Sequence, residues 1–296
     1  MGALGDAEDR IRALGLWSGP LSIATLAGGR SNESYRVEAG GEAFVVRFGA
    51  DYPFHHVSRS REAMTARAAH EAGFAPEVLH VGPGVLVARF IAAKTWGNED
   101  VQNDIDRSAR LLRAFHGAMP RHVSGEARYF CPFHVIRDYA RQLYAAKSRH
   151  ASELAGYLDL ANEMQAAQPP VRIVFGHNDL IPQNILDDGD RLWLIDFEYA
   201  GYSTPLFDLA GLASNARLSS ERTEALAAAY LNRRPEPEIM RAISALQVAS
   251  LLREAMWGMV SELHLNAPGV DYAAYAAECL EAMEWALDAY RGARGL

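Results

Sequence analysis

Within one stretch, four side chains have the types and spacing needed to handle a metal and a proton together. These are His177, Asp179 and Asn184 in HNDLIPQN, and Asp196 in the IDFEY that follows. The apolar run from Arg172 to Phe175 predicts a strand that empties into the polar loop carrying the first three. Ile185-Leu186 and a second strand, Leu192 to Ile195, flank Asp187-Asp188-Gly189-Asp190, whose Asp-Gly pair signals a hairpin. A hairpin returns the chain, so the Asp179/Asn184 loop and the Asp196 loop are expected to meet at one end. Oxygen-bearing side chains converging beside a sheet end suit a hard cation such as Mg²⁺, which takes few protein ligands and leaves room for phosphate and water. One carboxylate of the set can then act as a base on an attacking hydroxyl while the others hold metal, and that division of labour is phosphoryl transfer. Isolated Asp and Asn residues between strands also serve as turn formers and helix caps, and a lone His-x-Asp fits metal hydrolases as well.

The spacing from Asp179 to Asn184 matches the base-then-metal spacing of the protein-kinase catalytic loop, and Asp196-Phe197 stands where the metal-binding Asp-Phe follows. HNDLIPQN followed by IDFEYAGY resembles the choline/ethanolamine kinase branch of the aminoglycoside phosphotransferase-like kinases. That family has His-Asn-Asp where protein kinases have His-Arg-Asp, and Asp-Phe-Glu-Tyr where they have Asp-Phe-Gly. The resemblance implies that Asp179 orients and deprotonates the hydroxyl and that Asn184 and Asp196 hold Mg²⁺. Glu198 would assist a second metal or lend negative charge to a substrate cation. His177 and Asp208 would be structural support. Thr204-Pro205 reads as a helix start, which puts Asp208 in a first turn. There it either favours the helix dipole or, as in the family, accepts backbone N–H groups of the catalytic loop.

The elements that must position these groups begin with a short helix, Asp6 to Leu16, capped by Asp6. Strands are expected at Leu21 to Leu26, Ser34 to Glu38 and Phe44 to Phe48, then a helix from Ser58 to Ala72, and strands at Glu77 to Val81 and Val85 to Ile91. The glycines between the first two strands could form an ordinary turn or let backbone N–H groups approach an anion. GGRSNESYRV resembles the family's Gly-Gly-x-Ser/Thr-Asn loop, which implies ATP contacts from Gly28, Gly29, Ser31 and Asn32. Arg47 lies inside the apolar run FVVRF, where a charge is costly without a partner, and Glu62 in the following helix offers one. The family resemblance gives Arg47 a grip on nucleotide phosphates; the alternative is an edge-strand arginine facing solvent. His55-His56 reads as solvated surface. Arg89 to Thr95, with Phe90, is the expected crossover whose backbone meets the adenine.

From Glu99 onward the pattern is helical: Asp104 to Met119, Phe133 to Ala146, Ala151 to Ala167, Glu221 to Leu231, Glu236 to Leu265 and Tyr272 to Tyr290. His116 is expected to pack against the catalytic loop. Met256-Trp257-Gly258-Met259 and the Asp271-Tyr272-Ala273-Ala274-Tyr275 that follows also resemble the choline-kinase C-terminus, where aromatic rings enclose a quaternary ammonium by cation–π attraction. Trp257 matches the first Trp of the family's Trp-Gly-x-Trp, and the second falls on Val260. Trp257, Tyr272 and Tyr275 fit a core role on helix faces equally well.

The expected fold is α+β, two-lobed and protein-kinase-like. A small antiparallel β lobe with one main helix (1–91, nucleotide-binding) precedes a larger, mainly helical lobe (92–296, catalytic and substrate-binding). At 296 residues and 49% hydrophobic the chain can bury such cores. Its formal charge of −8 disfavours nucleic acid as a partner and would not repel a cationic small molecule. Two distant cysteines, Cys131 and Cys279, indicate neither a zinc site nor a disulfide framework and fit a cytoplasmic location, and no run suggests membrane insertion. The reading is an ATP- and Mg²⁺-dependent kinase whose partner is a cationic small-molecule alcohol, choline or ethanolamine, giving phosphocholine from choline. Thiamine or an aminoglycoside is the alternative acceptor. A metal-dependent phosphohydrolase would leave the Gly28-Gly29 loop, Arg47 and Glu62 without a purpose, and a non-catalytic nucleotide-binding module would leave Asp179 without one.

Overall fold

Strand alternation decides which side of the N-terminal sheet each residue faces. A computed structural model describes residues 3–26, 32–267 and 269–292. Strands β1 (Ser22–Leu26), β2 (Glu33–Ala39), β3 (Glu42–Phe48), β4 (Val78–Gly82) and β5 (Val85–Arg89) form one antiparallel sheet in the order β1-β2-β3-β5-β4. Tyr35, Val37 and Ala39 of β2, with Phe44, Val46 and Phe48 of β3, are buried in one cluster with Ala7 and Ile11 of α1 (Ala3–Ala13). The period of two therefore turns Arg47 to the opposite face, toward α2 (Arg59–Glu71). β3 lies between β2 and β5, which excludes the edge-strand alternative for Arg47. Asp6, expected as a cap, sits inside the first turn of α1, where its charge favours the helix dipole. The expected Gly28, Gly29 and Ser31 contacts lie outside the described residues.

The second lobe is mainly helical: α3 (Asn98–Asn103), α4 (Ile105–Ala118), α5 (Pro132–Ala145), α6 (Leu154–Ala166), α7 (Pro205–Asn215), α8 (Ser220–Leu231), α9 (Pro237–His264) and α10 (Tyr272–Gly292). Its strands are short. β7 (Val174–Gly176) pairs with β10 (Gly201–Ser203), and β8 (Ile185–Asp187) pairs with both β9 (Leu192–Leu194) and β6 (Lys94–Thr95). The expected hairpin is thus β8–β9. The strand before the catalytic loop pairs with the chain beyond Asp196 instead, so both polar loops are tied twice. α3, β6 and β10 had no counterpart in the sequence reading, because elements of two to six residues show no measurable period. Among the described residues no helix is long and apolar enough to cross a membrane.

α9 is apolar around most of its circumference because α5, α6, α7 and α10 pack around it. Gly258 sets how closely α10 approaches. A Cβ there would lie 3.0 Å from both the Ala276 Cβ and the Tyr272 carbonyl. Gly258→Leu is expected to cost about 1–3 kcal/mol by overpacking and to lower the midpoint of thermal unfolding. An unchanged midpoint would show that the two helices can part freely.

Candidate active site

Asp208 anchors the loop that begins at His177. Thr204 caps α7, with its hydroxyl accepting from the Leu206 N–H, and Pro205 opens the helix, so Asp208 projects from the first turn. Its carboxylate accepts the His177 N–H (2.8 Å), the Asn178 N–H (2.7 Å) and a hydrogen bond from His116 Nε2 (2.8 Å). Burial alone would raise the Asp208 pKa, but the hydrogen bonds and charges of His116 and His177 outweigh it and hold the group below the ordinary carboxylate value. Gly176, just ahead, has no room for a side chain: a Cβ would sit 2.7 Å from Ser203 Oγ and 3.0 Å from an Asp208 oxygen.

Asn178 adopts the left-handed conformation, with φ of 64°. Its side-chain amide donates to the carbonyls of Tyr199 (3.2 Å) and Gly201 (3.1 Å), and its oxygen accepts from the Ser203 hydroxyl (2.6 Å). His177 Nε2 donates to the Ile195 carbonyl at 2.9 Å. These two side chains bind the His177 loop to the segment on either side of Asp196. Asn184 completes the connection, since its carbonyl accepts from the Ile195 N–H (3.1 Å) while its amide donates to the Asp179 carbonyl (2.9 Å). Asp179, Asn184 and Asp196 are thereby brought to one place.

A chain of charges joins this place to the N-terminal lobe. Asp196 Oδ1 accepts from Arg47 Nη1 at 2.8 Å, and Arg47 also pairs with Glu62, whose side chain is 2% exposed. Arg59 bridges Glu62 (2.7 Å) and Glu198 (3.0 Å), and Asn32 donates to the same Glu198 oxygen at 3.4 Å. Glu198 therefore joins an ion-pair chain that reaches Arg47 through Arg59 and Glu62. Burial, then the charge of Asp196, raises the Glu198 pKa. Burial, then the charge of Glu254, raises that of Asp179 well above the ordinary carboxylate value, while Arg253 opposes the rise.

Among the described residues, no three His, Cys, Asp or Glu side chains converge to hold a metal by themselves. Asn184 and Asp196 offer one amide oxygen and one carboxylate. That sparse oxygen set suits Mg²⁺, whose other positions would go to phosphate and water. The Phe90 N–H is taken by the Ala43 carbonyl (2.9 Å) and its ring lies 4.6 Å from the Arg36 guanidinium. A purine beside Phe90 is left with the carbonyl and the ring.

On the other side of Asp179, α9 presents Arg253, Glu254 and Trp257. Arg253 is 2% exposed, pairs with Glu254 and lies 3.5 Å from Asp179 Oδ1. Tyr275 donates its hydroxyl to Glu254 at 2.8 Å. Trp257 meets Tyr272 and Tyr275 edge-on, with centroids 5.9 and 5.8 Å away, and stacks on His55 at 4.9 Å. Trp257 is 8% exposed, and Val260 is fully buried.

The expectation of solvated His55 and His56 was wrong for a packing reason. The short turn Pro53–His55 drives His55 into the second lobe, where it meets the Tyr139 hydroxyl (3.1 Å) and the Ser261 hydroxyl (2.9 Å). Burial, then the charge of His264, lowers its pKa to about 3, so it stays neutral. His56 is partly buried and lies 3.0 Å from Asp138. Arg59, Arg253 and Glu254 were missed altogether. A signal existed for the last two: they precede Trp257 by four and three residues, and so share its helix face.

A model of the phosphotransferase enzyme family matches residues 22–243. The LicA protein of Haemophilus influenzae is 26% identical over 268 residues, covering 86% of this chain and 77% of that protein. The crystal structure of a choline/ethanolamine kinase family protein from Mesorhizobium loti is 29% identical and superposes with a TM-score of 0.75, covering 96% of this chain and 95% of that one. The choline kinase LicA of Streptococcus pneumoniae, at 20% identity, shares the fold with a TM-score of 0.74 over 95% of this chain and 98% of its own. By its matching family model and these relatives, the chain belongs to the phosphotransferase enzyme family, among its small-molecule kinases.

Proposed function

We propose that the protein transfers the γ-phosphoryl group of ATP to the hydroxyl of choline, giving phosphocholine and ADP. The observation that carries this reading is the meeting of Asp179, Asn184 and Asp196 beside the Arg47–Glu62 pair. In it, residues 1–91 hold the nucleotide and residues 92–296 carry the chemistry and the acceptor. Asp179 accepts the hydroxyl proton as the alcohol oxygen bonds to the γ-phosphorus, and the bond from that phosphorus to the leaving ADP oxygen breaks. Arg47 grips phosphate oxygens, with Glu62 fixing its position. Mg²⁺ held by Asn184 and Asp196 would neutralise charge on the phosphates. Arg47 Nη1 sits 2.8 Å from Asp196 Oδ1, which places the phosphate-gripping cation beside the carboxylate that would hold the metal.

The acceptor assignment rests on Trp257, Tyr272 and Tyr275 standing beside Glu254 and Asp179, and on the names of the relatives. A cation–π contact contributes about 0.5–1 kcal/mol when exposed and about 2 when desolvated. Trp257→Leu is therefore expected to raise the KM for choline by roughly two- to thirtyfold and to leave that for ATP unchanged. A Trp257 that only packs would lower thermal stability and leave KM alone. Labelled ATP and Mg²⁺ incubated with choline, ethanolamine, thiamine and an aminoglycoside tests the whole reading. Phosphocholine should form with the highest kcat/KM. Preference for thiamine or an aminoglycoside overturns the acceptor and keeps the kinase, whereas release of free phosphate alone overturns both.

A further inference from the structure

Where the turn between β3 and α2 faces the segment before α5, the two lobes border an open cleft of about 420 Å³ whose lining includes neither Asp179 nor Asp196. It is lined by Arg61 of α2, by Arg128 and Tyr129 of the segment before α5, by His134 of α5, and by His56 and Asp51 of the turn between β3 and α2. Arg61 Nη2 and Arg128 Nη1 both donate to one oxygen, the His56 carbonyl, at 2.7 and 2.9 Å. Two guanidinium groups thus share a single neutral acceptor, and no ion pair joins either of them to a carboxylate among the described residues. The acidic groups nearby pair with neither guanidinium, and the exposed Asp51 bonds only a backbone N–H. Asp51 accepts the Arg59 N–H at 2.6 Å, and Asp138 lies 3.0 Å from His56 and accepts from Arg141 at 2.7 Å. Like charges held together in a partly buried site are unfavourable unless an anion neutralises them. Burial, then the charge of Arg61, lowers the Arg128 pKa to about 10, the mark of a guanidinium short of negative charge.

We propose that Arg61 and Arg128 form a binding site for a small phosphate-class oxyanion, separate from the phosphoryl-transfer centre. A tetrahedral anion can accept from both guanidinium groups at once, with the exposed His134 imidazole as a further donor. The exposed Tyr129 ring stands at the rim, where it can cover the organic part of a phosphate ester. Bound there, the anion ties α2 to the second lobe. Arg61 adjoins Glu62, the partner of Arg47, while the Arg128 guanidinium lies 5.9 Å from the Tyr199 ring and its carbonyl accepts the Tyr202 N–H at 2.7 Å. Occupancy therefore stiffens both the helix behind Arg47 and the segment following Asp196.

Inorganic phosphate titrated into the full chain, against chloride at matched ionic strength, tests the site by thermal unfolding and calorimetry. The wild type is expected to bind with a midpoint rise of about 2–3 °C at ten times Kd. Arg61→Gln should reduce the affinity at least tenfold, and the surface change His134→Ala should reduce it less. Arg61→Gln is only partly buried and leaves the His56 carbonyl its Arg128 donor, so its folded state can be checked by its midpoint without phosphate. Phosphocholine bound more tightly than inorganic phosphate, with that binding weakened at least tenfold in Arg61→Gln, would assign an ester as the ligand, and the reverse order would assign the free anion. No phosphate binding in the wild type, or equal binding in wild type and both variants, overturns the proposal. None of these readouts requires turnover, so they stand or fall apart from the kinase reading.

Discussion

Asp179→Asn is expected to lower kcat by about 10²–10⁴-fold, the usual contribution of a positioned general base, while the affinity for ATP stays nearly unchanged. The substitution keeps the side-chain shape and removes the carboxylate that takes the hydroxyl proton. It does not disturb the loop, because the bond from Asn184 goes to the Asp179 backbone carbonyl. Arg253 loses a neighbour 3.5 Å away but keeps Glu254, so no buried cation is left alone. Each tenfold loss corresponds to about 1.4 kcal/mol of transition-state stabilisation, and the whole effect should appear in kcat with little change in KM. Steady-state kinetics with choline, together with direct measurement of nucleotide binding, checks it. A loss below about tenfold would remove Asp179 from the role of base.

The loop residues were legible in the sequence because phosphoryl-transfer chemistry fixes both their types and their spacing. A five-residue interval from Asp179 to Asn184 and a hairpin back to Asp196 can be read along the chain, and β8 and β9 form that hairpin. The sheet was legible for a similar reason: period-two alternation in β2 and β3 distinguishes the face covered by α1 from the face of Arg47. What stayed hidden was long-range. Arg59 reads as one more surface charge until α2 is packed against Glu198, far along the chain. Arg253 reads as a blemish in an apolar helix until Asp179 is set beside it. His55 was misread because nothing local to a Pro-Phe-His-His turn says that a second lobe will cover it. Charge partners and lobe contacts are products of tertiary packing, and one sequence carries them only as unexplained charges in unlikely places.

Asp208→Ala should produce the largest loss of stability among single changes near the site. The carboxylate is buried and accepts three donors, namely the His177 and Asn178 N–H groups and His116 Nε2. Alanine leaves all three inside the protein without an acceptor. An unsatisfied buried donor costs about 1–3 kcal/mol, and partial relaxation makes the sum less than additive, so the expected loss is about 3–6 kcal/mol. That corresponds to a fall in the unfolding midpoint of roughly 5–10 °C for a chain of this size. Because the folded pKa of Asp208 lies below its ordinary value of 3.8, its ionised form stabilises the fold at every pH above that value. That contribution fades as pH falls through the lower folded pKa. The gap between wild type and variant should therefore hold steady from neutral pH to about 4 and narrow below it. Turnover should fall as well, since the freed N–H groups belong to the two residues just before Asp179. A midpoint shift under about 2 °C would mean that Asp208 merely complements the dipole of α7, an effect of about 0.3–1 kcal/mol.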